Sequence, residues 1–355
     1  MLKKSILIIF LLLQLMISYV YSENFNVLNR SDFVNLPEDL FYKDNFVSQW
    51  WYFTGHLESE DGKLFGFEVT FFVINVNQKK FKSPFGLQKA YMLHSAITDI
   101  SDKHFYYNSE ISRGAFDSAG VLENSTIVWL NNSYLKGDID KFHIFSESQD
   151  FSINLKLKSI KKPVKNGQNG YSQKVDNCSK CASLYFSITR LLVDGTVKLN
   201  KKNYKVKGLA WFDREINSDY DASTVKGWDW FSIQLDNGVD IMLYLIRDNS
   251  SNIQKVSSGT IVYPDGTYKI LLLEDFSVKP LKYYRSKKSD AKYPSKWRIK
   301  ILSEKLDLIL TPLLKDQELL SKLKNFPTYW EGACKVEGNV SGKAYVELTG
   351  YGEDS

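Results

Sequence analysis

The stretch Asp61-Gly62-Lys63-Leu64-Phe65-Gly66-Phe67-Glu68-Val69-Thr70-Phe71-Phe72-Val73-Ile74 decides the fold class. Phe65, Phe67, Val69, Phe71 and Val73 fall on one face, and Glu68 and Thr70 on the other. That period of two belongs to a strand, and Asp-Gly before it is a turn signal. The pattern recurs. Asp236-Asn237-Gly238 separates Trp230–Leu235 from Val239–Ile246, and Tyr263-Pro264-Asp265-Gly266 turns between Thr260–Val262 and Thr267–Leu273. Val193-Asp194-Gly195-Thr196 reads as a hairpin between Leu184–Leu192 and Val197–Leu199. Many strands joined by short turns predict an all-β chain of antiparallel sheets or barrels.

Composition agrees. The 8 Trp, 21 Tyr and 22 Phe favour strands and supply large apolar surface. Lys161 to Ser179 is polar, carries Gly167 and Gly170, and reads as an exposed loop. Ser286 to Ser295 reads as a second, basic loop. Leu313, Leu314, Leu320 and Leu323 nearly share a helical face, so a short helix is expected from Leu313 to Leu323. Trp50-Trp51-Tyr52-Phe53 and Trp228-Asp229-Trp230-Phe231 each open a half of the chain, and predict two similar barrels joined between Asn217 and Lys226.

The first residues address the chain. Lys3 and Lys4 precede an apolar run from Ser5 to Ile17, and Val20-Tyr21-Ser22 offers a cleavage site before Glu23. That is the layout of a secretory signal peptide, and the run is shorter than the roughly 20 residues a spanning helix needs. The expected organisation is a signal peptide over 1–22, an N-terminal barrel over 23–222 and a C-terminal barrel over 223–355, exported to the periplasm. A formal charge of +5, or +3 without Lys3 and Lys4, is too balanced to imply nucleic acid. Cys178, Cys181 and Cys334 predict one structural disulfide in an oxidising compartment, to Cys334 or within the Cys178–Cys181 pair, with one thiol left over.

Conventional catalytic motifs are absent. There is no G-x-S-x-G elbow, P-loop or G-x-G-x-x-G, and His56, His94, His104 and His143 form no metal pair at i, i+4 spacing. No cofactor and no metal are expected. One segment stands out: Gly208-Leu209-Ala210-Trp211-Phe212-Asp213-Arg214-Glu215. Strand alternation puts Trp211, Asp213 and Glu215 on one face and Phe212 and Arg214 on the other. A carboxyl beside a Trp in an apolar hollow resists ionisation, which equips it to donate a proton near neutral pH. The triplet also reads as a salt-bridged strand end, and pattern alone favours that reading. His94, in Tyr91 to Asp99, reads as an acid/base, as a polar anchor or as a satisfied core histidine.

These motifs resemble those of the AttH-like and carotenoid 1,2-hydratase family. Trp50 to Leu57 followed by Phe65 to Phe72 resembles the family's opening, and His94-Ser95-Ala96-Ile97-Thr98-Asp99 its next strand. Gly170-Tyr171-Ser172-Gln173-Lys174, Tyr185 to Arg190, Gly208 to Glu215 and Trp228 to Gly238 are similar to its central signatures. Asp316 to Leu319, Tyr329-Trp330-Glu331-Gly332-Ala333 and Tyr345 to Tyr351 are similar to its closing ones. The resemblance implies a tandem pair of lipocalin-like antiparallel β-barrels that binds or acts on a hydrophobic, isoprenoid- or lipid-like small molecule. Cofactor-free hydratase, lyase or cyclase chemistry is one reading, with Asp213, Glu215 and His94 catalytic. A ligand carrier, or an accessory of an inner-membrane transporter complex, is the alternative. Candidate ligand-binding residues are Trp211, Trp230, Trp51, Tyr52, Phe67, Tyr185 and Arg190. A monomer is expected. Phe212 and Ile216 depart from the Met and Trp usual at those positions.

Overall fold

The computed structural model describes residues 25–76, 87–218, 222–321 and 328–352. Within them the chain is almost entirely strand, and its helical elements are single 3-10 turns. Thirteen strands form one sheet: β1 Ser48–Ser59, β2 Leu64–Asn75, β3 Lys89–Asp99, β4 His104–Ser112, β5 Ala119–Val121, β6 Thr126–Leu130, β7 Ser133–Gly137, β8 Lys141–Glu147, β9 Phe151–Ser159, β10 Val164–Lys165, β11 Tyr171–Gln173, β12 Ala182–Leu199 and β13 Lys202–Asn217. Ten form the other: β14 Val225–Leu235, β15 Asp240–Asp248, β16 Ser258–Val262, β17 Tyr268–Leu272, β18 Phe276–Arg285, β19 Lys292–Ile301, β20 Leu306–Pro312, β21 Glu318–Leu319, β22 Tyr329–Gly338 and β23 Gly342–Leu348.

Both sheets are antiparallel and curled, the first nearly closed into a barrel and the second into a half-barrel. This is the all-β, tandem lipocalin-like architecture. The strand order β4-β3-β2-β1-β13-β12 in the first is mirrored by β17-β16-β15-β14-β23-β22 in the second. The two Trp-rich stretches therefore occupy equivalent strands, β1 and β14.

Alternation sorts the side chains. Trp51, Phe53, Phe65, Phe67, Val69 and Phe71 point into the first barrel and fill it. Phe231, Ile233, Leu243, Trp297 and Trp330 fill the second. A third cluster, including Tyr52, Tyr185, Trp211, Trp230, Tyr244 and Tyr345, lies between the sheets on their outer faces. The central strands are consequently buried on both sides, and β1 reads as a nearly unbroken buried run. Gly66 lets the sheets meet: a Cβ there would stand 2.6 Å from the Ala333 Cβ.

Four local expectations are corrected. The Asp194-Gly195 turn does not exist, because β12 runs through it and pairs with β13 as far as Leu199. The reversal comes at Asn200-Lys201, both at positive φ (47° and 71°), as a two-residue hairpin of the primed type requires. Lys161 to Ser179 is not an exposed loop: β10 and β11 pair with β12, and Asn166 and Ser172 are buried. In the supposed basic loop, Ser286, Ala291 and Tyr293 are buried and β19 begins at Lys292. Ser286, Ser289 and Tyr293 all donate to the buried Glu318 carboxylate, which holds the segment down. No helix forms over residues 313–321. The Gln317 side chain accepts from Thr98 and from the Ala333 N–H, which fixes the chain so that β21 bridges to β22. Residues 322 and 323 lie outside the described residues.

The disulfide is Cys178–Cys181, not a bridge to Cys334. Cys334 points into the second barrel and is a buried free thiol, pushed well above its ordinary pKa by that burial.

Candidate functional site

A cavity of about 290 Å³ opens between the two sheets, room for about ten waters. It lies outside both barrel interiors. Trp50, Tyr52, Phe72 and Tyr185 wall it from the first sheet, and Trp228, Trp230, Tyr244 and Tyr329 from the second. Into this aromatic space project His94, Lys174, Asp213, Glu215, Glu331 and Glu347.

Asp213 has the most completely specified surroundings. It is 3% exposed. Trp211 Nε1 donates to its Oδ1 at 2.7 Å, Ser187 Oγ to the same oxygen at 2.5 Å, and the Tyr185 hydroxyl to Oδ2 at 2.6 Å. Each hydroxyl has its direction set from behind. Trp230 Nε1, which can only donate, donates to the Tyr185 oxygen at 3.0 Å, and Asn166 Nδ2 donates to the Ser187 oxygen at 2.8 Å. Asn166 Oδ1 in turn accepts from the Thr260 hydroxyl on the second sheet at 2.7 Å. Both hydroxyl protons are thereby aimed at Asp213. Burial pushes its pKa up to about 7, with the three donors holding it below what burial alone would give. Tyr185, buried beside Asp213 and Glu215, is pushed well above its ordinary range and keeps its proton.

Glu215 follows on the same face of β13. It accepts from Ser183 Oγ and pairs with Lys174. The Lys174 ammonium also lies 5.1 Å from the Tyr185 ring centroid and 5.0 Å from that of Tyr244.

A second acidic group comes mainly from the other sheet. Glu331 is 1% exposed and accepts from the Tyr52 hydroxyl of the first sheet. Burial and the neighbouring Glu68 and Glu347 push its pKa well above the carboxylate range. Glu347 is pushed up to about 7, and Glu68 to about 8, in each case mainly by burial. Glu68 Oε2 has no hydrogen-bond partner among the described residues. Three carboxyls this close and this dry cannot all ionise, so the group holds protons at neutral pH. His94 is the opposite case. Burial lowers it to about 4, so its ring is neutral, and its Nδ1 lies 2.6 Å from the Tyr329 hydroxyl across the sheet boundary.

The structure thus brings Asp213, Glu215, His94, Tyr52, Tyr185 and Trp230 to one cavity. Trp211 stands behind Asp213, its N–H committed to that carboxylate, rather than on the cavity surface. Three expected ligand contacts lie elsewhere. Trp51 and Phe67 point into the first barrel because they have the opposite strand parity. There the Trp51 ring stacks with the Arg214 guanidinium, 3.9 Å from the ring centroid. Arg190 joins the barrels away from the cavity, bound to the buried Asp240 at 2.6 Å. Asp213 itself forms no ion pair with Arg214, whose donors go to Leu40, Phe41, Gln49, Trp50 and Glu215.

Glu331, Glu347, Tyr329, Trp50 and Lys174 also line the cavity, and sequence reasoning assigns them no role. The available signal was an acid at alternate position within an aromatic strand, in Tyr329 to Ala333 and Tyr345 to Thr349. Among the described residues no set of three His, Cys, Asp or Glu side chains is arranged to hold a metal ion.

The AttH-like family profile matches residues 27–351. Among solved structures, a protein designated AttH from Nitrosomonas europaea is 30% identical, with a TM-score of 0.82 over 90% of this chain and 98% of that one. Kievitone hydratase from Nectria haematococca shares the fold at 16% identity, with a TM-score of 0.69 over 92% of this chain and 96% of its own. CghA does so at 11% identity, with a TM-score of 0.55 over 94% and 95%. No curated protein sequence matches the chain.

Proposed function

This chain belongs to the AttH-like family, and we propose that it adds water across a double bond of a hydrophobic, isoprenoid- or lipid-like small molecule held between its barrels. The observation that carries the reading is Asp213: a carboxyl poised at about pH 7, facing an aromatic cavity, with three hydrogen bonds fixing its orientation. The reaction class comes from the hydratase among the structural relatives.

Protonated Asp213 gives its proton to one alkene carbon; the new C–H bond forms from the π pair, leaving a cation on the neighbouring carbon. The aromatic faces of Trp230 and Trp50 stabilise that cation through their quadrupoles. A water oxygen then bonds to the cationic carbon and its surplus proton returns to the Asp213 carboxylate, so no cofactor is consumed. The neutral His94 and the Lys174-bound Glu215 are placed to orient that water.

Asp213→Asn tests this. Incubation with a panel of isoprenoid alkenes should yield products heavier by one water with the natural protein. The variant should lose about 10²–10⁴-fold in turnover while ligand affinity stays within a few-fold. The natural rate should be level at acidic pH and fall as pH rises through about 7, when Asp213 loses its proton. A carrier without chemistry forms no product and binds equally well in both forms. We also place the protein in the periplasm, on its N-terminal apolar run; cell fractionation finding it in the cytoplasm would remove that assignment.

A further inference from the structure

The outer face of the first barrel divides at Ala210. Up to that line the second barrel covers it. Gln234 Nε2 donates to the Thr189 and Ala210 carbonyls at 2.7 and 3.0 Å, and Arg190 and Lys161 both pair with the buried Asp240. Beyond it, β12 and β13 run on uncovered, and Leu192 is 49% exposed.

Lysine predominates on this uncovered face, where the exposed Asp194 stands opposite Lys156 and Lys207. Lys136, Lys141, Lys156, Lys158, Lys205 and Lys207 stand exposed on it, on β7, β8, β9 and β13. Lys141 and Lys158 sit directly opposite one another, an arrangement that works against sheet stability. Lys156, Lys158, Lys205 and Lys207 make no ion pair among the described residues, and Lys141 only approaches Asp138 at 4.0 Å. Between the lysines lies a concavity of about 800 Å³, lined also by the exposed Leu192 and by His143, Asp140 and Asp194. Tyr134 and Phe145 stack half-buried at its side.

The second barrel's outer charges differ. There Arg298 and Lys300 pair with Asp307, and Lys335 with Glu337. Lysines on β18 lie on an edge strand, where positive charge deters pairing with other chains. β8, β9, β12 and β13 are interior strands, so edge protection does not account for theirs.

We propose that this face docks on an anionic lipid bilayer. A broad face on which lysines outnumber carboxylates complements a negatively charged leaflet. Ammonium groups on long apolar stems suit a laterally mobile headgroup layer, and this face carries lysine without the arginine forks that favour fixed carboxylate or phosphate partners. Half-buried aromatics and Leu192 fit the interfacial zone. The face adjoins the cavity along one strand: Lys207 and Asp213 share the outward side of β13, six residues or about 20 Å apart. The docking inference does not depend on the chemistry proposed for that cavity.

Co-sedimentation with vesicles decides it. One set is made of equal parts phosphatidylglycerol and phosphatidylcholine, the other of phosphatidylcholine alone, which reports any binding by the apolar run Ser5–Ile17. Full-length protein should prefer the anionic vesicles, and the preference should vanish between about 0.05 and about 0.5 M salt. The combined K141E/K156E/K158E/K207E variant should lose about 100-fold in binding to the anionic vesicles. The corresponding lysine-to-glutamine variant should lose less but in the same direction. K282E/K292E/K300E/K335E, with equal charge change on the second barrel, should keep the preference. Equal binding to both vesicle types, an unchanged basic-face variant, or capture of heparin and acidic protein without vesicle binding overturns the proposal.

Discussion

The barrel interiors and the space between the barrels are built from opposite faces of the same strands. On β1, Trp51 and Phe53 enter the first barrel while Trp50 and Tyr52 face the cavity. On β13, Phe212 turns inward and Asp213 and Glu215 outward. The interiors are packed with aliphatic and aromatic side chains, whereas the outer faces gather buried carboxyls, a neutral histidine and tyrosine hydroxyls. The difference teaches that in this chain the barrels act as walls. The cavity arises where two outer faces meet, and polar side chains from both sheets gather around it.

That contrast can be broken by experiment. Phe67→Ala leaves a void in the filled barrel and should cost about 3–5 kcal/mol in unfolding free energy, read by denaturant titration. Ligand affinity should be unchanged wherever the variant is folded. If affinity falls with stability, the ligand occupies the barrel and the contrast is wrong.

The acidic cluster gives the next effect. In the unfolded chain Glu68, Glu331 and Glu347 ionise near 4.5, whereas in the folded protein burial holds Glu347 to about 7 and Glu68 to about 8. Between those values the folded state binds more protons, so this contribution to stability falls as pH rises. Glu331→Gln removes one such group and should flatten the slope by up to about 1.4 kcal/mol per pH unit between pH 5 and 7. An unaltered slope in thermal unfolding would mean that Glu331 is ionised throughout.

The smallest effect sharpens the comparison to adjacent residues. Trp50→Leu removes a cavity wall and should weaken ligand binding about tenfold, measured by fluorescence titration, with little change in stability. Trp51→Leu should do the reverse, because Trp51 packs on Arg214 within the barrel.

Much of this organisation could be read along the chain. The alternation of Phe65 to Val73, the Asn237-Gly238 hairpin and the face shared by Asp213 and Glu215 all follow from a strand's period of two. Other readings failed where local signals compete. Asp194-Gly195 has turn chemistry but lies mid-strand, since pairing with both β9 and β13 outweighs a dipeptide preference. The polar stretch Lys161 to Ser179 looks solvated, yet Asn166 and Lys174 are drawn inside by partners far away in sequence. Aromatic content does not say which side of a wall a ring lines, so Trp51 and Phe67 read from sequence as ligand contacts although they face the barrel interior.

The sequence by itself determined the strand class, the two-barrel plan, the turns at Asp61-Gly62, Asp236 to Gly238 and Tyr263 to Gly266, and the parity that puts Asp213 opposite Phe212. The strand class, the turns and the parity depend on nearest neighbours and on backbone geometry, and the two-barrel plan on the recurrence of a Trp-rich strand in each half. The tertiary structure alone decided that the barrels fill themselves and that Glu331 meets Tyr52, His94 meets Tyr329 and Trp230 meets Tyr185. Each of those pairs joins two sheets across more than forty residues of chain. The dryness that lifts the acids' pKa values exists only once the second sheet has closed over the first.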